Sequence, residues 1–112
     1  MIETIIINYL NEKLDVQTYA EVPPKADKSF CIIEKTGSSV KNHIYSVTVA
    51  IQSYAGSLLN AAKLNEKVIQ AMEELPELAE VSACELNSDY NYTDTSTKRY
   101  RYQAVFDITH FN

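Results

Sequence analysis

The chain has 112 residues, 46% of them hydrophobic and 22% charged, with two glycines and three prolines. That is enough for one core, too little for two, and far from the composition of a disordered chain. Fifteen acidic and ten basic residues leave a formal net charge of −5, which opposes nonspecific binding to nucleic acid, where affinity comes from lysines and arginines that displace counterions.

Ile2, Ile5, Ile6, Tyr9 and Leu10 recur at the spacing of one helical stripe and predict a short amphipathic helix ending near Leu14. Charge comes too early and too often in this segment for a signal sequence or a membrane span, so a cytosolic chain is expected. Asp15–Val22 alternates Val16, Thr18, Ala20 and Val22 against polar neighbours. It predicts a first strand that Pro23-Pro24 stops, because proline cannot donate to a ladder. Lys28–Lys35 is apolar on both faces and predicts an inner strand broken by Gly37-Ser38-Ser39. Val40–Tyr54, with Tyr45, Val47, Val49 and Ile51 on one side, predicts a long half-buried strand forming an antiparallel hairpin with it.

Ser57 is placed to cap a long helix, with Ala61, Leu64, Val68, Met72 and Leu75 as its inner stripe and Pro76 as its stop. Ala79–Asn112 predicts two strands joined by a polar tip around Thr93–Thr97. In the second, Lys98–Asn112, Tyr100, Tyr102, Ala104, Phe106 and Ile108 share a face, and Arg99 and Arg101 lie opposite. The order is helix, three strands, helix, two strands. It predicts an α+β fold, one antiparallel sheet of about five strands with both helices on one face, in a single domain spanning 1–112.

No residue pattern names a chemistry. Cys31 and Cys84 lack metal-site spacing and are expected as buried free thiols. His43 and His110 are far apart in sequence, and Gly37 and Gly56 belong to unrelated turns rather than a phosphate loop. Asp89 and Asp94 fit turn chemistry, and Asp107 faces away from the tyrosine stripe. No catalytic residue, metal site or cofactor is expected. What stands out is eight tyrosines without a tryptophan, six of them on or beside strands, where tyrosine serves equally for interfaces and for cross-strand packing. The basic group Lys98, Arg99 and Arg101 reads first as a solvated strand edge, with a phosphate site as the lesser reading.

The strings VQTYAEVPPKADKSFCIIEKTG, VTVAIQSYAGSLLNAAKLNEKVIQAM and RYRYQAVFDI, in this order over essentially the whole chain, resemble the tail-completion (tail-terminator) family of long-tailed bacteriophages and prophages. The resemblance implies a non-enzymatic virion subunit made in the bacterial cytoplasm. It would assemble as a homohexameric ring on the head-proximal end of the tail tube, end tube polymerisation and meet the head-closure or connector protein. DNA would pass through without specific binding, and no membrane is involved. An acidic lumen suits that passage, since it repels phosphate over about 8 Å at physiological salt.

Within this reading the candidate interface residues are Tyr90, Tyr92, Asp94, Lys98, Arg99 and Arg101. The hairpin Asn87–Lys98 and the turn Gly37–Asn42 are candidates for touching tube or connector, and Arg99 and Arg101 for pairing between ring neighbours. A head-closure or neck protein of the same virion and an unrelated cytosolic small-molecule-binding domain or small enzyme remain the alternatives.

Overall fold

A computed structural model describes residues 1–111; Asn112, the end of the predicted last strand, lies outside the described residues. The elements follow the expected order: α1 (Ile2–Lys13), β1 (Thr18–Tyr19), β2 (Phe30–Lys41), β3 (Ile44–Ala55), α2 (Leu58–Glu73), a 3₁₀ turn (Leu75–Glu77), β4 (Val81–Asn91) and β5 (Tyr100–Phe111). The five strands form one sheet in the order β1-β2-β3-β5-β4, and the fold is α+β.

Both helices cover one face of the sheet. Ile6 and Leu10 of α1 and Val68 and Met72 of α2 join Ile33, Val49, Ile51, Phe106 and Ile108 in a single core. Alternation along β3 and β5 aims these strand residues inward, because partners Val47↔Ile108, Val49↔Phe106 and Ile51↔Ala104 share a face. Each large side chain of this set contributes about 1.5–3 kcal/mol on burial, and the twelve-residue β3–β5 pairing is the spine that aligns them. Ser57 caps α2 by accepting a bond from the Asn60 amide at 3.2 Å, and Pro76 ends the run inside the 3₁₀ turn.

Three expectations are corrected. The first strand is only two residues long and pairs in parallel with β2, so the sheet is mixed. The Thr18 amide bonds to Asn11 Oδ1 at 2.7 Å rather than to a strand, and the chain reaches β2 through the loop 20–29, a connection far longer than the two-residue turn an antiparallel hairpin needs. Second, Gly37-Ser38-Ser39 does not break β2. A register shift between Lys35 and Gly37 absorbs one extra residue, and the turn falls at Asn42-His43, both at positive φ (53° and 66°), as a two-residue hairpin turn of matching twist demands. Third, Cys84 is half-buried while Cys31 is fully buried; both are free thiols. Burial pushes Cys31 up to about 12, against the Ser53 hydroxyl 4.0 Å away, which lowers it.

Candidate interaction surface

The face of the sheet away from the helices carries no helix among the described residues; part of it is buried, where Phe30, Ile32 and Tyr54 form a second cluster with Tyr19 packed against it. Odd positions of β5 and even positions of β3 point here, so Arg101, Gln103, Val105 and Asp107 stand beside Tyr54, Gln52, Ala50 and Thr48. Gln52 and Gln103, only 8% and 9% exposed, form the centre of a chain of bonds. Tyr54 OH donates to Gln52 Oε1 at 3.1 Å, Gln52 Nε2 to Gln103 Oε1 at 3.0 Å, and Gln103 Nε2 to Tyr90 OH at 2.6 Å. The line crosses three strands, β3, β5 and β4, and fixes the amide orientation of both glutamines.

Arg101 closes this array. Its Nη1 donates to Tyr54 OH at 2.7 Å and its Nε to the Tyr92 carbonyl at 2.7 Å, and its guanidinium carbon lies 4.6 Å from the Tyr92 ring centroid, within the range of a cation–π contact. Tyr54 stacks on Phe30 with centroids 4.6 Å apart, and Phe30 meets Tyr19 edge-on. The result is a plate of aromatic rings, amides and one guanidinium held by its own hydrogen bonds. Tyr90 and Tyr92, each 42% exposed, form its rim and pack edge to face.

The other predicted residues sit beyond the plate. Asp94 organises the hairpin tip, accepting from the Ser96 hydroxyl at 2.7 Å and the Ser96 amide at 3.0 Å. These bonds, the hydroxyl one first, hold its carboxyl below the usual range. Lys98 takes positive φ (55°) at the return of the chain, and Arg99 pairs with Asp94 through the backbone alone. Tyr90, Tyr92 and Arg101 are thus brought together, while Asp94, Lys98 and Arg99 belong to the tip. Asp89 is not a turn residue as expected: it lies in β4 and accepts from Asn65 Nδ2 of α2 at 2.9 Å. Asn65, 2% exposed, was not on the predicted stripe, although its spacing from Ala61 and Val68 places it on the same helical face.

At the opposite end of this face the surface is shallow and polar. Gly37, Ser39, Ser46, Thr48 and Thr109 line a depression of about 400 Å³, and Asp107 is held there by Thr48 and Asn87. Ile44 and Phe111, 43% and 49% exposed, are cross-strand partners at its edge. In the predicted contact segment Gly37–Asn42, residues 37–41 belong to β2 and Asn42 to the hairpin turn, and all are exposed.

No group of three or more His, Cys, Asp or Glu is placed to hold a metal ion among the described residues, and none of their helices is long and apolar enough to cross a membrane. No family model matches the sequence, and no curated protein is significantly similar to it.

Proposed function

We propose that this chain is a structural assembly subunit of the tail-completion kind. It forms a ring, of six copies on the resemblance, at the head-proximal end of a phage tail tube. There it ends tube growth and offers the surface that meets the head connector. The observation that supports the reading is a hydrogen-bonded sheet face that no helix covers among the described residues, with Tyr90 and Tyr92 exposed at its rim, on an elongated body of 44 × 25 × 25 Å. Tyrosine and arginine grouped on a sheet face that carries no helix among the described residues match the composition of an interface centre. The action is geometric: a capping ring occupies the last tube layer and presents no seat for another tube subunit, so no bond is made or broken.

Sequencing the DNA on both sides of the gene tests this. A tail-tube gene on one side and portal, capsid or head-closure genes on the other are expected. Metabolic neighbours would overturn the reading. A head-closure role is separated by affinity, since such a protein binds the connector and leaves tube ends free.

A further inference from the structure

Loop 20–29 and the β4–β5 hairpin enclose a cleft of about 390 Å³ at the start of α2, lined by Lys25, Lys28, Lys98 and Arg99 together with Asp27 and Tyr100. All four cationic side chains are exposed, and none of them forms an ion pair among the described residues, where the pairs are Lys13–Glu77 and Lys35–Glu3. Four of the ten basic residues of a chain with net charge −5 therefore converge on one cleft, facing a single carboxylate. Beside it Leu59, in the first turn of α2, is 64% exposed.

The other end of α2 carries the opposite charge. Sixteen residues on, about 24 Å along the helix axis at 1.5 Å per residue, stand Glu73, Glu74, Glu77 and Glu80, all exposed. Lys13 and Lys67 are the cations nearby, and Lys13 reaches Glu77 only at 4.0 Å. The negative field there is felt inside the protein, where Glu77 and Glu74 add to burial in raising the Tyr9 hydroxyl.

We propose that the cleft receives the acidic end of α2 from a second copy of this chain. The contact is head-to-tail, so repetition closes a ring or extends a filament. It rests on the ring reading and names the surfaces that meet. Charge complementarity selects this occupant over nucleic acid: four cations are fewer than the six to ten phosphate contacts of a typical duplex binder, and the remaining surface of the chain is acidic. A copy of the same chain brings four carboxylates on one short segment.

The test is mass photometry of the full chain at low and high salt, as wild type, as K98E/R99E, as E74K/E77K and as an equimolar mixture of the two variants. Wild type is expected to associate at low salt and dissociate at high salt. Each variant alone should associate about a hundredfold more weakly, because reversal sets like charges against each other. The mixture should recover, since each reversed end now matches the other variant's reversed end, and this recovery also excludes misfolding as the cause of the losses. A wild type that assembles while both variants assemble equally well overturns this contact and leaves the ring reading standing. Loss in both variants without recovery in the mixture overturns it too. A wild type that stays monomeric at every concentration, alone or with its tube partner, overturns both; salt-dependent duplex binding by that monomer would reassign the cleft to phosphate.

Discussion

Replacing Gln103 with leucine removes the centre of the bond line on the open face, and the effect can be counted atom by atom. Gln52 Nε2 loses its partner, whereas Tyr90 OH, on a half-exposed ring, turns to water. That is one buried orphan. Gln52→Leu instead strands two groups, the Tyr54 hydroxyl proton and Gln103 Oε1. In the double variant only the Tyr54 proton is stranded. With each orphan at about 1 kcal/mol, the lower end of the usual cost, Gln103→Leu should lose about 1 kcal/mol, Gln52→Leu about 2, and the pair about 1 rather than 3. The coupling of about 2 kcal/mol is measured by urea unfolding of the four proteins at unchanged m-value. In thermal scans Gln52→Leu should fall by about 8 °C, at about 4 °C per kcal/mol for a domain of this size. Additivity within about 0.5 kcal/mol would refute the bond line.

Two further outcomes follow from local geometry. Cys31 should resist thiol reagents in the folded protein while Cys84 reacts partially. Because burial raises the folded Cys31 thiol to about 12 against about 8.5 unfolded, its contribution is complete below about pH 8.5. It falls away as pH rises towards 12, at up to about 1.4 kcal/mol per pH unit; denaturant titrations of wild type against Cys31→Ala across that window check it, and an unchanged slope would contradict it. His43→Gly should stabilise by about 0.5–1 kcal/mol, since glycine takes the 66° φ without the side-chain penalty; an unchanged or lower urea midpoint would place the turn elsewhere.

The parts of the fold legible in the sequence are those in which local signals agree. In α2 the apolar stripe, the Ser57 cap and the Pro76 stop all mark the same helix. β5 announces itself by alternation from Tyr100 to Ile108. Where a local signal competes with a distant one, the distant one wins: Gly37 looks like a break, but pairing with Thr48 carries the strand through it as a bulge. The alternation from Val16 to Val22 is real, yet Asn11 captures the Thr18 amide and leaves only two residues for the sheet. The open-face plate was not legible at all. Gln52 and Gln103 are fifty-one positions apart, and nothing in either neighbourhood marks them as partners until the β3–β5 register is known. Of the predicted interface residues, Tyr90, Tyr92 and Arg101 owe their meeting to the β4–β5 register, and the tip residues to the Asp94 turn.

Tube length tests the central claim most directly. Tubes polymerised from the tail-tube subunit encoded beside this gene would be imaged by electron microscopy with and without the protein. With it, tubes should stop growing and carry a ring of extra density at one end; unchanged growth with bare ends would contradict the account.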